Sequence, residues 1–167
     1  MAVMATFEIP GHGLEHLIQE IFTTSQKQPE LTPRSPEILR DLVKNENLAV
    51  IYVDGELAGW AACEPLTANV AEVGMVYIKP EFRSAAVFNE LMQLISSRPE
   101  KMLLATYDRA LIRYVVRVWK AKQINLLGAI ILSRGKFITK RLNSESRKAI
   151  RSKLQKSKPL YAIVGER

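Results

Sequence analysis

Apolar residues recur along this chain in two alternating rhythms, and the alternation predicts its elements. Val3 to Ile9 reads as a short strand ended by Pro10-Gly11. Leu14, Leu17, Ile18, Ile21 and Phe22 then follow the i, i+3, i+4, i+7, i+8 spacing of an amphipathic helix. Residues 23–36 carry three prolines and several Ser and Thr, the composition of a loop. Ser35-Pro36 supplies a cap and a first turn for a second helix, whose apolar side is Ile38, Leu39, Leu42 and Val43. Leu48–Val53 and Glu56–Cys63 form a hairpin, because Asp54-Gly55 between them tolerates the positive φ angles of a tight turn.

Next comes a β-branched and aromatic strand from Ala71 to Ile78, closed by Pro80, which cannot donate to a sheet ladder. A turn of small residues leads from it into a helix with Val87, Leu91, Leu94 and Ile95 on its buried face. Lys101–Thr106 is a further strand. From Asp108, the positions of Leu111, Ile112, Val115, Val118 and Trp119 predict another helix, with Arg113, Arg117 and Lys120 on a different side. Strands are expected at Asn125–Leu132 and Lys136–Leu142, then a capped basic helix over residues 144–156, and a last strand at Leu160–Val164. This order predicts an α/β (α+β) fold, a mixed central sheet flanked by helices. No repeat or linker interrupts it, so residues 1–167 read as a single domain.

Composition narrows the class. Hydrophobic content of 47% and charged content of 25% belong to a globular chain rather than a disordered one. The chain does not start with a basic segment followed by an apolar run, and none of its apolar runs has the length of a bilayer span. The expectation is a cytoplasmic protein with no membrane partner. Cys63 is the single cysteine, so no internal disulfide forms.

The net charge of +7 is unevenly spread. Residues 1–108 hold 8 Lys and Arg against 15 Asp and Glu, whereas residues 109–167 hold 16 against 2. Such asymmetry points to an anionic partner for the C-terminal third. Nucleic acid, CoA phosphates, a dicarboxylate or the acidic part of the same chain would each serve, and a solvated basic face without a partner is the alternative.

Two stretches carry candidate chemistry. His12-Gly13-Leu14-Glu15-His16 matches the H-x-x-E-H pattern of zinc peptidases, but Gly11 and Gly13 oppose the helix that would align the two imidazoles. The chain has no other histidine, and no metal site is assigned. The stretch from Ala71 to Ser97 is more informative. A strand feeding a helix through small residues aims free backbone N–H groups and the positive helix end at one point, which suits a phosphate. Arg83 adds a planar cationic fork beside it.

The segment Ala71-Glu72-Val73-Gly74-Met75-Val76-Tyr77-Ile78-Lys79-Pro80-Glu81-Phe82-Arg83 resembles the strand and turn of the GNAT superfamily of N-acetyltransferases. The usual Arg/Gln-x-x-Gly-x-Gly/Ala turn is altered, its two glycine positions falling on Ala86 and Phe88. Further residues resemble the acetyltransferase domain of N-acetylglutamate synthases. They are Leu31-Thr32-Pro33-Arg34-Ser35, Asp54-Gly55, Ala61-Ala62-Cys63, Glu72, Phe82-Arg83-Ser84 and Gln155-Lys156-Ser157-Lys158-Pro159-Leu160.

The resemblance implies acetyl-CoA as co-substrate and no metal. It implies that the backbone of Met75, Val76, Tyr77 and Ile78 lines the pantetheine arm, an N–H near Tyr77 or Ile78 polarising the thioester carbonyl. Arg83 and the amides of Ser84, Ala85, Ala86, Val87 and Phe88 would hold the pyrophosphate. Glu72 would take the ammonium proton, or is an ordinary strand-end carboxylate. Tyr114 would protonate the leaving thiolate, or is a core tyrosine. Arg34 and Lys156 would bind an acceptor carboxylate, or are surface cations. The function so implied is acetyl transfer to a primary amine, a small molecule such as glutamate. The alternatives are a non-catalytic domain whose basic third binds nucleic acid, and an acetyltransferase acting on charged tRNA. The oligomeric state is left open, a homodimer being compatible.

Overall fold

The computed structural model describes residues 2–28, 31–139 and 159–165. Seven strands, β1 (Val3–Thr6), β2 (Leu48–Val53), β3 (Glu56–Pro65), β4 (Val70–Ile78), β5 (Lys101–Thr106), β6 (Lys122–Ile124) and β7 (Leu160–Val164), form a mixed sheet in the order β1-β2-β3-β4-β5-β7-β6. Helices flank it, as the α/β expectation requires. The chain divides into two compact units, Met1–Glu64 with Met75–Arg98, and Pro65–Gly74 with Pro99–Arg167.

The first unit holds α1 (Leu14–Lys27), α2 (Pro36–Lys44) and α3 (Ala85–Ser96). Its hairpin forms as the sequence predicts: Asp54 and Gly55 take φ of 49° and 87°, and β2 pairs antiparallel with β3 from Leu48↔Ala62 to Val53↔Glu56. Leu48, Val50, Trp60 and Ala62 form one core with Leu17, Ile18 and Ile21 of α1 and Leu39 and Leu42 of α2. Ile21 and Leu39 are wholly buried there, each contributing about 1.5–3 kcal/mol relative to exposure. On α3 the buried residues are Val87, Leu91, Met92 and Ile95. Met92 takes the place expected of Leu94, which is half-buried.

Helix α1 runs five residues beyond Phe22, into the stretch expected to be loop. Its polar turn is satisfied from within: the Ser25 hydroxyl donates to the Phe22 carbonyl at 2.9 Å, and the Gln28 amide to the Thr24 carbonyl at 3.1 Å. The two helices are clasped by Arg40, whose Nε and Nη2 donate to the two oxygens of Glu15 at 2.9 and 2.8 Å.

In the second unit the first half of β4 pairs parallel with β5, from Val70↔Lys101 to Val73↔Leu104. β7 pairs antiparallel with β5 and with β6. Helix α4 (Arg109–Val118) packs against these strands and buries Ile112 and Val115. The strand expected at Asn125–Leu132 is instead helix α5 (Leu126–Leu132), because the Asn125 side chain accepts from the Gly128 amide at 2.8 Å and caps it. A short apolar run does not reveal its period, and here the cap decides. The second expected strand begins as α6 (Lys136–Thr139), started by the Ser133 hydroxyl accepting from the Phe137 amide at 3.2 Å. The remainder of that strand and the basic helix expected over residues 144–156 lie outside the described residues.

Candidate functional site

In the first unit β4 ends at Ile78, a single 3-10 turn covers Pro80–Phe82, and α3 starts at Ala85. Two features hold the strand end. The Lys79 amide donates to the Ala58 carbonyl at 2.8 Å, and the Lys79 ammonium lies 2.6 Å from the Glu20 carboxylate on α1. Gly59 on β3 lets the backbones approach, since a Cβ there would collide with the Tyr77 carbonyl. Met75 opens this half of the strand with φ of 54°, a left-handed conformation costing on the order of 1–3 kcal/mol. Such strain persists where surrounding structure over-determines it, and it breaks the regular strand at the expected pantetheine-lining segment. Of that segment, Met75, Tyr77 and Ile78 are buried and Val76 is half-buried.

Arg83 is exposed, and its Nε donates to the Ile78 carbonyl at 3.0 Å. The bond fixes the guanidinium at the helix entrance while leaving the two terminal nitrogens for another acceptor. Ser84 caps α3, its hydroxyl accepting from the Val87 amide at 3.2 Å, and the Phe88 amide donates to the Ser84 carbonyl at 3.1 Å. Of the five amides expected to meet a pyrophosphate, those of Val87 and Phe88 are therefore engaged within the chain. The expected cradle contracts to Arg83 and the amides of Ser84, Ala85 and Ala86, three exposed residues at the helix entrance. The first turn of α3 contains no acid to complement the positive helix end. Ala86 adopts ordinary helical backbone, so replacing the usual glycine costs nothing conformationally. Small side chains, free amides and a fixed cation fit the pyrophosphate of CoA.

Arg34 lies one residue before the α2 cap. Its Nη2 is 3.6 Å from Glu64 Oε1 at the end of β3, and its Nε is buried without a hydrogen-bond partner. Behind this end of β3 the indole of Trp60 is wholly buried, its Nε1 also unpartnered, and its ring lies 4.8 Å from that of Tyr77. The Tyr77 hydroxyl accepts from Gln28 Nε2 at 3.4 Å. Nothing in the sequence pointed to Glu64 or Gln28. The Ser84 cap was missed as well, although a serine directly before a helical run is a signal that could have found it.

Glu72 and Tyr114 fall in the second unit. Glu72 is buried on β4 opposite Leu103, and Tyr114 is half-buried on α4. Lys156 lies outside the described residues. Around the H-x-x-E-H match, Gly11–Gly13 form a 3-10 turn, so His12 precedes the helix that carries His16, and Glu15 is held by Arg40.

The fold recurs among solved structures. N-acetylglutamate synthase from Neisseria gonorrhoeae, complexed with coenzyme A and N-acetyl-glutamate, superposes with a TM-score of 0.67 at 16% identity. The match covers 100% of this chain but 36% of the synthase, so the chain spans about a third of that protein's length. A Mycobacterium tuberculosis protein in complex with CoA and NLQ gives 0.63 at 12% identity, covering 98% of each chain. Diaminobutyrate acetyltransferase from Paenibacillus lautus, with L-2,4-diaminobutyric acid and coenzyme A, gives 0.58 at 11% identity over 74% of this chain and 80% of its own. No curated protein matches the sequence. Residues 12–120, well over half of the chain and including the β4–α3 turn, match the family described as the acetyltransferase (GNAT) family, and to that family, one of acetyl-CoA-dependent N-acetyltransferases, this chain belongs.

Proposed function

We propose that the protein transfers an acetyl group from acetyl-CoA to the primary amine of a small amino acid such as glutamate. The observation that carries the reading is the α3 entrance, where Arg83 is fixed by the Ile78 carbonyl ahead of a helix whose first turn holds no acid. Acetyl-CoA supplies an activated thioester carbonyl. The strand Met75–Ile78 lines its pantetheine arm, and an N–H near Tyr77 or Ile78 polarises the carbonyl. Arg83 and the amides of Ser84, Ala85 and Ala86 hold the pyrophosphate. Glu72 receives the ammonium proton, directly or through water, since only the neutral amine attacks. Tyr114 returns a proton to the departing sulfur, and Arg34 binds the acceptor carboxylate, with Lys156 as a second cation. The residues act in one domain spanning 1–167, and in the cytoplasm. The assay is thiol release from acetyl-CoA against free amino acids, polyamines and charged tRNA. Reaction with glutamate is expected; inert glutamate beside a reactive polyamine or tRNA overturns the acceptor.

A second reading rests on α4. Arg109, Arg113 and Arg117 are all exposed at four-residue spacing, about 6 Å of helix rise apart. They make no ion pair among the described residues, and no acid lies between Arg109 and Thr139. This face supports nucleic acid, including charged tRNA, as a partner. Binding of tRNA that falls steeply with added salt and weakens in Arg113→Ala supports it, because neutralised phosphates release counterions.

A further inference from the structure

The first unit contains two Arg–Glu pairs built to different standards. Arg40 and Glu15, both well exposed, close a complete fork with two hydrogen bonds at 2.9 and 2.8 Å. Arg34 and Glu64 are less exposed, at 23% and 18%, yet theirs is open: Nη2 sits 3.6 Å from Oε1, and Nε has no acceptor although it is buried. Nε and Nη2 form one edge of the guanidinium, the same edge that Arg40 uses fully. A buried N–H left unpaired is costly, so a contact serving only stability would be expected to close. What the Arg34 edge lacks is a pair of oxygens at carboxylate spacing, within hydrogen-bond reach of both nitrogens.

We propose that Glu64 is an internal stand-in for the acceptor carboxylate, and so a residue that sets acceptor affinity. The proposal rests on the reading of Arg34 as the acceptor's anchor. Glu64 neutralises Arg34 while no acceptor is bound, but its long contact to Nη2 holds the edge weakly. An acceptor carboxylate takes both Nε and Nη2, and Glu64 yields. Its own side chain carries the same carboxylate as glutamate, so acceptor and stand-in compete for one cation. The competition applies only to acceptors with a carboxylate, because an amine without one never needs the Arg34 edge.

Steady-state acetylation by the full chain tests this. Glu64→Gln should lower KM for L-glutamate on the order of fivefold and change kcat little, since an ion pair joined by a long contact is a weak competitor. Glu64→Asp, which keeps the charge but reaches less far, should lower it by less. KM for an amine without a carboxylate should not move. A KM for glutamate that rises or stays the same in Glu64→Gln overturns the proposal while leaving the acceptor reading intact. If no protein acetylates glutamate, the acceptor reading fails, and calorimetric titration of succinate still decides. Tighter succinate binding in Glu64→Gln than in the wild type, lost on adding Arg34→Ala, upholds the stand-in. No difference between the two proteins overturns it.

Discussion

Helices α2 and α3 begin alike and are finished differently. Each is capped by a serine, Ser35 accepting from the Ile38 amide at 3.5 Å and Ser84 from the Val87 amide at 3.2 Å. In α2 the next residue is Pro36, which has no N–H to leave unpaired, and Glu37 follows with a carboxylate in the first turn. Backbone hydrogen bonding at Glu37, and then the Ser35 side chain, hold that carboxyl below its usual range. The helix thus completes its own positive end. In α3 the corresponding residues are Ala85 and Ala86, with no acid, and a cation at Arg83 precedes them. A chain seeking stability alone would place an acid there. Its absence leaves a seat for an anion from outside, and CoA offers one.

The contrast can be broken most severely by finishing α3 as α2 is finished. Ala86→Asp places a carboxylate in the seat, where like-charge juxtaposition should weaken CoA binding about 100-fold or more. The same change should stabilise the helix by about 0.3–1 kcal/mol, since the acid complements the macrodipole. Calorimetry and thermal melting of one variant therefore move in opposite directions. Arg83→Ala removes a charge-assisted contact and should cost roughly 1.5–3 kcal/mol of CoA affinity, with little change in melting temperature.

Smaller effects sharpen the comparison. Ser84→Ala should cost about 1 kcal/mol of stability in denaturant unfolding, by loss of the cap, with CoA affinity nearly unchanged. Glu37→Gln should be the mildest change. Because the Glu37 pKa is depressed in the folded state, its stabilisation is present above the unfolded carboxylate pKa and lost as pH falls through the folded one. The stability difference from the wild type should therefore shrink in acid, and a difference that grows there would contradict the assignment.

How much of this was legible in the sequence depends on whether a signal is local. Asp54-Gly55, Ser35-Pro36 and the strand ahead of Pro80 each act through their own backbone, and each formed as expected. The family resemblance, spread over most of the chain, agrees with the match of residues 12–120. The run Leu126–Leu132 was misread because seven mostly apolar residues carry no period, and the deciding cap lies just outside them at Asn125. At the site, the family resemblance implied five pyrophosphate amides, but it did not show that Ser84 would occupy the Val87 amide and close the Phe88 turn. The open Arg34–Glu64 edge was beyond reach for a different reason. Thirty residues separate its partners, and only the packed end of β3 brings them together.

The central claim is that the α3 entrance is the seat of CoA, and calorimetric titration of CoA into the wild type and Ala86→Asp tests it most directly. The account predicts saturable heat for the wild type that disappears in a variant melting no lower. No heat from the wild type at millimolar CoA, or equal affinity in the two proteins, would contradict it.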